Sequence, residues 1–403
     1  MGQLVSERWR RCNYDARAFP EIATRALEEM PAATALTPKQ LLHWAATTDP
    51  LPPQDNLGNR FGEPSIRLFD DGRFFIQALF WFESTTSIHQ HSFSGAFEVL
   101  SGSSLHTCYD FAVQERYSEH LQLGALELRD AELLRQGSVR PILAGQRFVH
   151  SLFHLDHPSV SFLVRTHNDV EAGPLYSYLP PGIAYNSFHV TPRVRMIKET
   201  LVAAHKLGDG SVHRLARAAL QGADAETALH ALLVYRQLLG DPEWARALPQ
   251  IEALIRPESE LWRETLQRML STHERQRSIV QGREYVKSPE LRFFLALLLN
   301  LRERSRIIEL VEARFAERPA LDQIVAWVGE LWETARPNGD GQFVNLLQFG
   351  CDPSVKAPAL AILRAQLAGK RDKAIAQANK QYRGVEAICQ LWREQPFLLP
   401  LFE

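Results

Sequence analysis

Residues 1 to about 50 carry apolar side chains at helical spacing. The segment from Pro20 to Met30 repeats apolar residues with the period of an amphipathic helix. Thr37-Pro38-Lys39-Gln40 is typical of a helix start, because threonine caps the first turn and proline fits inside it. We therefore predict short helices at the N-terminus.

The pattern changes after the break at Pro50-Leu51-Pro52-Pro53. Beyond it, short runs alternate apolar and polar residues or are wholly apolar, and glycine, aspartate and proline separate them. Such runs are typical of strands in a closed barrel or a sandwich. The predicted strands are Ser65–Phe69, Phe74–Phe82, the strand around His89, Ala96–Leu100, Ser104–Phe111, Ala125–Leu128, Arg147–Phe153 and Val160–His167.

A helical pattern returns after Pro174–Gly182 and continues from Arg195 onward. Short breaks between the helices favour antiparallel hairpins. We interpret this half as a structural, interaction or dimerisation domain, or as a cover over the barrel mouth. Predicted helices include Ala225–Leu233, Leu291–Glu303, Ala320–Ala335 and Val355–Leu367.

These changes of period divide the chain into three parts. Residues 1–52 are predicted to be helices that pack on a barrel, residues 53–192 the barrel itself, and residues 193–403 an all-α domain. The predicted fold class is therefore α+β.

Composition excludes several classes of function. Of the 403 residues, 45% are hydrophobic and 23% are charged, as in ordinary soluble proteins. The formal net charge of -2 gives no overall field that would attract nucleic acid or an anionic membrane. The sequence shows no membrane span, no signal-peptide core and no paired cysteine spacing, so we expect a cytoplasmic protein.

One short segment indicates metal chemistry. Ser87-Ile88-His89-Gln90-His91 places two histidines one residue apart, and side chains alternate along a strand, so both imidazoles face the same side. Neutral imidazole is the commonest metal ligand, so this pair is half of a divalent-metal site. His150 on a later strand is the third candidate. The alternative is two surface histidines on an ordinary strand.

The region from Ser65 to about His167 resembles the cupin superfamily and, within it, the cysteine dioxygenase (thiol dioxygenase) branch. Ser87–Ser92 is similar to that family's Ser-Ile-His-Asp-His, and Leu100-Ser101-Gly102 is similar to its turn. Phe148-Val149-His150, followed by Pro158-Ser159-Val160-Ser161, is similar to its later strands. The resemblance implies a cupin-type barrel, here with an added helical domain.

By this resemblance, His89, His91 and His150 would hold one Fe(II), and another divalent metal is left open. Three imidazoles would leave coordination positions for substrate and O2. Most cupins add a glutamate at the position of Gly95, which has no side chain, so a site without a carboxylate is implied. Glu98 is one residue off the inward phase and is expected at the outside or the rim.

The late strand departs from the family. Thiol dioxygenases carry a Ser-x-His-x-Tyr series there, whereas this chain has Ser161, Leu163 and Arg165, so cysteine itself is not assigned as the substrate. Arg165 is expected to project into the barrel, where it and Arg67 would hold an anion, with Ser161 as a third substrate-binding residue. An internal carboxylate such as Glu83 or Glu98 is the alternative partner of Arg165.

His154 and Tyr109 are the candidate catalytic side chains. His154 keeps the strand phase of His150 and is predicted to be a nearby base or an alternative ligand, unless it belongs to a histidine-rich hairpin loop. His106 and Tyr109 differ in phase, so at most one of them faces the cavity of a regular strand.

These residues indicate three functions. The leading hypothesis is a mononuclear non-haem iron cupin oxygenase that uses O2 on a small anionic substrate. The second is a non-catalytic cupin that binds a small ligand and signals through its helical domain. The third is a metal-dependent isomerase or hydrolase. The expected partners are a small-molecule substrate and O2, not nucleic acid or membrane, and homo-oligomerisation through the helical domain is left open.

Overall fold

The computed structural model describes residues 1–54, 62–82, 86–169, 172–255, 259–337, 343–347, 356–369, 390, 392 and 395–402. The chain begins with helices α1 (Gly2–Arg11), α2 (Phe19–Glu29), α3 (Ala32–Ala35) and α4 (Pro38–Thr47). The predicted start of α4 is confirmed. The Thr37 hydroxyl accepts a 3.3 Å hydrogen bond from the Gln40 backbone, and the Gln40 side chain accepts one from the Thr37 backbone at 2.8 Å.

The β region that follows forms two assemblies. One is a five-stranded sheet in the order β1-β2-β9-β4-β7, and the other is a closed barrel in the order β10-β11-β6-β5-β8-β3. The strands are β1 (Ser65–Asp70), β2 (Phe74–Trp81), β3 (Ile88–His91), β4 (Gly95–Ser101), β5 (Ser103–Arg116), β6 (Leu121–Arg135), β7 (Val139–Ile142), β8 (Gly145–His154), β9 (Ser159–Thr166), β10 (Tyr176–Leu179) and β11 (Ile183–Asn186).

Three strands of the β region were not predicted from the sequence. They are β7, β10 and β11, and β5 and β6 are longer than expected. The proline-rich stretch that was expected to end the β region contains β10, which closes the barrel by pairing with β3 and β11. A four-residue strand defined by its pairing partners carries too short a pattern to be recognised.

The N-terminal helices cover the outer face of the five-stranded sheet. On β2, Ile76, Ala78 and Phe80 are buried against these helices. The intervening Leu79 and Trp81 point to the other side, where they line a cavity. Alternation along one strand therefore separates a packing face from a face that is available for chemistry.

Helices follow from residue 192 onward. They are α5 (Pro192–Leu207), α6 (Ser211–Leu220), α7 (Ala225–Leu238), α8 (Asp241–Glu252), α9 (Glu260–Arg283), α10 (Pro289–Asn300), α11 (Arg304–Arg314), α12 (Ala320–Glu333) and α13 (Lys356–Leu367). The expected all-α region also contains a two-stranded sheet of β12 (Ala335–Pro337) and β13 (Phe343–Asn345), which corrects that expectation. The α+β class is confirmed.

The barrel and the helices share a hydrophobic core. Every residue of helix α10 from Leu291 to Leu299 is buried, and all of them except Arg292 are apolar. It belongs to the same buried cluster as Leu105, Phe153 and Leu155 of the barrel region. Within the described residues, no helix is both long enough and apolar enough to cross a membrane. The domain boundary near residue 192 stays a prediction.

Candidate metal centre

Three histidines from two neighbouring strands meet inside the β region. His89 on β3 is paired with His150 on β8, and His91 follows after a bulge in β3. One ring nitrogen from each of the three lies within 4.8 Å of the others. The Nε2 atoms of His91 and His150 are 2.8 Å apart. The structure therefore brings together the three side chains that the sequence nominated as ligands, and their role as ligands stays a prediction.

The donor atoms of this triad fit a divalent cation. The Nδ1 of His89 lies 2.8 Å from the carbonyl oxygen of Ser87, which can only accept, so Nδ1 carries the proton and Nε2 keeps a lone pair. Burial, followed by the neighbouring imidazoles, lowers the pKa of His150 well below its usual value. Burial also lowers the pKa of His89 and His91. Neutral imidazoles suit iron, zinc, copper and nickel.

Gly95 leaves no space for the carboxylate ligand of most cupins. A Cβ atom at this position would lie 2.2 Å from the carbonyl oxygen of Val164 and 2.8 Å from the Cα of Arg165. A side chain of any size would therefore require the neighbouring strand to shift. Among the described residues, the cluster of histidine, cysteine and acidic groups at this point consists of the three histidines alone.

Glu98 has a structural position that the sequence did not indicate. It has the predicted outward phase, but it is fully buried rather than at the rim. Its two oxygens accept hydrogen bonds from the backbone nitrogens of Ala32 at 2.8 Å and Ala33 at 3.1 Å. The carboxylate thereby satisfies the first amides of α3 and fastens the N-terminal helices to the sheet.

The triad borders a cavity of about 520 Å³ between the five-stranded sheet and strands β3 and β8. This size suits a small organic ligand. The lining is mostly apolar with a few polar groups. Its residues include Gln77, Leu79, Trp81, His89, His91, Phe93, Phe97, Ile142, His150, Leu152, Ser161, Leu163, Arg165 and Asn168.

Arg165 and Ser161 line this cavity, as their strand phase predicted. The Arg165 guanidinium lies 3.4 Å from the ring centre of Phe93 and donates to the carbonyl oxygens of Thr166 at 3.1 Å and His167 at 2.9 Å. The Ser161 hydroxyl accepts a 3.1 Å hydrogen bond from the Trp81 indole. Their roles in substrate binding stay predictions.

Arg67 does not match its predicted position. It is buried, its guanidinium donates to Asp70 at 2.6 Å, and it lies 4.1 Å from the ring centre of Phe75. It is not one of the described residues that line the cavity. A bulge between Arg67 and Phe69 interrupts the register of β1, which the sequence did not reveal. Glu83, an alternative partner proposed for Arg165, lies outside the described residues.

Tyr109 does not face the triad. Cys108 pairs with His150, and Tyr109 pairs with Val149, so Tyr109 lies on the opposite face of the barrel wall. Its hydroxyl is 3.5 Å from Asn300 of the helical region. Of the two side chains, His106 has the inward strand phase and Tyr109 has the outward one.

His154 shares the inward phase of His150 but is not among the described residues that line the cavity. Its Nδ1 lies 2.9 Å from the hydroxyl of Ser104, and its ring stacks on Trp81 with 4.8 Å between centres. Burial, and then the charge of Arg283, lowers the pKa of His154 to about 3. A general base must reach the proton that it removes, and the Trp81 ring covers this imidazole instead.

Two residues near the site, Gln77 and Trp81, were not singled out from the sequence, and a third, His106, was considered there but given no role. Gln77 and Trp81 line the cavity, and His106 contacts His150 with 3.0 Å between its Nε2 and the Nδ1 of His150. The signal for Gln77 was present, since it is the one strongly polar residue within the apolar strand β2. His106 has the inward phase on β5.

The chain has low similarity to known proteins. No protein-family model matches the sequence, and no curated protein matches it. Similar solved structures include oxalate oxidase, from a study of its mechanism, with a TM-score of 0.21 and 15% identity over 40% of this chain and 75% of that chain. Recombinant oxalate oxidase in complex with glycolate gives 0.21 and 14% over 42% and 78%.

A third similar structure is the capsular polysaccharide assembling protein CapF from Staphylococcus aureus, with a TM-score of 0.18 and 13% identity over 30% of this chain and 33% of that chain. TM-scores at this level carry no argument about function. The barrel and the three clustered imidazoles agree with the cupin resemblance, while the thiol dioxygenase branch stays a prediction.

Proposed function

We propose that the protein is a metal-dependent cupin oxidoreductase, and more specifically a mononuclear non-haem iron oxygenase similar to thiol dioxygenases. The observation that carries this proposal is the group of three buried imidazoles with ligand atoms within 4.8 Å of one another, beside a cavity of about 520 Å³. Iron(II) bound there would supply a site where O2 and substrate meet, which lowers the entropic cost of their reaction.

The cavity supports an anionic substrate with an apolar part. Arg165 would bind the anionic group, since its guanidinium lines the cavity and a guanidinium forms bidentate pairs with carboxylates and similar anions. Leu79, Leu163 and Phe97 would contact the apolar part and exclude water. Ser161 would offer its hydroxyl beside the Trp81 indole.

Two measurements test this function in sequence. The first is elemental analysis of protein purified without chelators, which should give about one divalent metal ion per chain. The second is O2 uptake by protein loaded anaerobically with Fe(II), with a panel of small thiols and carboxylates as substrates. Uptake that depends on both metal and substrate is expected. Absence of bound metal after purification and after loading would contradict the proposal.

A non-catalytic ligand-binding role is the second candidate, and one observation favours it. The wall that carries the triad rests on the helical region, where the Ser151 hydroxyl and the Tyr109 hydroxyl both approach Asn300, at 3.4 and 3.5 Å. A ligand that shifts this wall would therefore also change the contacts that the wall makes with α10. Ligand binding by metal-free protein, without O2 uptake after iron loading, would favour this role over the oxygenase.

A further inference from the structure

A chain of hydrogen bonds runs from the surface of the barrel to the triad. Glu132 Oε1 lies 3.0 Å from Nδ1 of His106, and Nε2 of His106 lies 3.0 Å from Nδ1 of His150. At the outer end, Arg140 binds both oxygens of Glu132, with its Nε 2.8 Å from Oε1. His106 is 1% exposed, whereas the Glu132 side chain is 29% exposed.

The direction of each hydrogen bond follows from the charge state of Glu132, which lies at the outer end of the chain. Hydrogen bonds from Arg140 lower the pKa of Glu132 to about 2, so the carboxylate is ionised and can only accept. His106 must then donate from Nδ1, and in its neutral form it accepts at Nε2. With His106 neutral, His150 donates from Nδ1 and keeps the lone pair on its own Nε2. The Sγ atom of Cys108 lies 3.6 Å from the same His106 nitrogen.

The inward nitrogen of His150 is the one that meets the triad, because its Nε2 lies 2.8 Å from Nε2 of His91. A lone pair on this atom is what a metal ligand requires. His89 is oriented in a similar way, but by a neutral backbone carbonyl rather than by a charged group. Partners of this kind fix the tautomer of a ligating histidine and increase its basicity.

We propose that His106 and Glu132 are positioning residues that hold His150 as the Nδ1–H tautomer and thereby raise the affinity of the triad for a divalent cation. This inference rests on the proposed metal-binding function. It goes further because it assigns a role to two side chains outside the triad. These two residues, His106 and Glu132, are 26 positions apart in the sequence.

The alternative is that His106 and Glu132 only satisfy each other's hydrogen bonds. In that case their replacement would lower the stability of the fold and leave both the His150 tautomer and the metal affinity unchanged. Stability alone therefore cannot separate the two roles, whereas the tautomer and the affinity can.

The experiment uses the full chain at pH 8. Histidine-selective 15N NMR of metal-free protein reports the tautomer of His150, and competition with a chromophoric chelator reports Zn²⁺ affinity. His106→Phe removes the acceptor, so we expect loss of the Nδ1–H signature and about 10- to 100-fold weaker Zn²⁺ binding. Glu132→Gln removes the charge and should produce a smaller loss in the same direction.

Two further variants separate positioning from disruption. His106→Gln places an amide oxygen near the position of Nε2, so it should restore Zn²⁺ affinity to within about threefold of wild type. Glu127→Gln makes the same charge change at an exposed position of β6 and should leave affinity unchanged. Thermal unfolding of every variant identifies any that do not fold. If His106→Phe does not fold, the Zn²⁺ affinities of wild type, His106→Gln and Glu132→Gln are compared instead.

The outcomes distinguish the two proposals. Wild-type protein that binds Zn²⁺ with the same affinity as His106→Phe and Glu132→Gln would overturn the positioning role and leave the metal site in place. Wild-type protein that binds no Zn²⁺, Co²⁺ or Fe²⁺ would overturn the metal site and the positioning role together. A wild-type His150 with its proton on Nε2 would contradict the hydrogen-bond directions themselves.

Discussion

Strands β5 and β8 present two different faces. On the inner face, His106, His150 and His154 alternate with apolar side chains beside the cavity, and each imidazole makes a polar contact. On the outer face, Leu105 and Phe153 are fully covered by the helical region. Neighbouring residues of one strand therefore differ in chemistry because they point to opposite sides.

Groups suited to chemistry and groups that stabilise the fold therefore occupy alternate positions of the same two strands. The inner face contains buried polar groups that would be costly without partners, whereas the outer face contributes apolar surface removed from water. Substitutions one residue apart should consequently affect either metal binding or folding stability.

The largest effect is expected at the triad. Replacement of His89, His91 or His150 by Ala should abolish stoichiometric metal binding, because each removes one of three ligand atoms, while the strands remain held by their neighbours. Elemental analysis and circular dichroism measure the two properties. His154→Ala is the matched control with the same strand phase. Full metal occupancy in all three variants would refute the site.

The opposite result is expected on the outer face. Phe153 is 1% exposed, and its ring lies 4.5 Å from the guanidinium of Arg283 in the helical region. Phe153→Ala should lower the free energy of unfolding by about 3–5 kcal/mol through loss of burial and the resulting cavity. Metal affinity should stay unchanged. Denaturant unfolding with Phe153→Leu as control tests this, and a loss of metal by a folded variant would break the separation of the two faces.

Much of the inner face could be predicted from the sequence. The two histidines on β3 share a face by strand alternation, and Ser161 and Arg165 line the cavity by the same rule. Prediction failed where periodicity is interrupted. Arg67 pairs with Gln77, which lines the cavity, but its guanidinium binds Asp70 and lies against Phe75, next to a bulge in β1 that the pattern of residues does not show.

Other features depend on contacts that are distant in the sequence. Glu132 on β6 meets His106 because the two residues are paired between β5 and β6, and Glu98 accepts hydrogen bonds from the first amides of α3. Neither the residue type nor the spacing in the sequence predicts these hydrogen-bond partners. The strand β10 was also hidden, since only its pairing with β3 and β11 defines it. Contacts between residues that are distant in the sequence are therefore the features of the site that a single sequence does not predict.

An intermediate effect is expected at Arg165, which borders the cavity. If it binds the anionic group of the substrate, Arg165→Leu should weaken substrate binding by at least about 2 kcal/mol, which is the scale for removing one partner of a buried charge pair. Metal should be retained. The measurement is a substrate titration of both metal-loaded proteins.

Arg147→Leu, at an exposed position of β8, is the control for loss of a positive charge. If Arg165 were only a rim residue, its replacement should change affinity by less than about 1 kcal/mol. Equal affinity in wild type and Arg165→Leu would remove this residue from the binding site and leave the triad unaffected.

The smallest effect is expected at Tyr109, which belongs to the outer face although the sequence nominated it for catalysis. Its hydroxyl lies 3.5 Å from Asn300 and also interacts with Thr107 and Ser151, so Tyr109→Phe should change the free energy of unfolding by about 1 kcal/mol. Metal affinity and O2 uptake should equal those of wild type, because a barrel wall separates this side chain from the triad. Unfolding curves and O2 uptake measured on the same preparations decide this. A tenfold loss of O2 uptake in a fully metallated Tyr109→Phe protein would return Tyr109 to the reaction and show that the two faces of the wall are coupled.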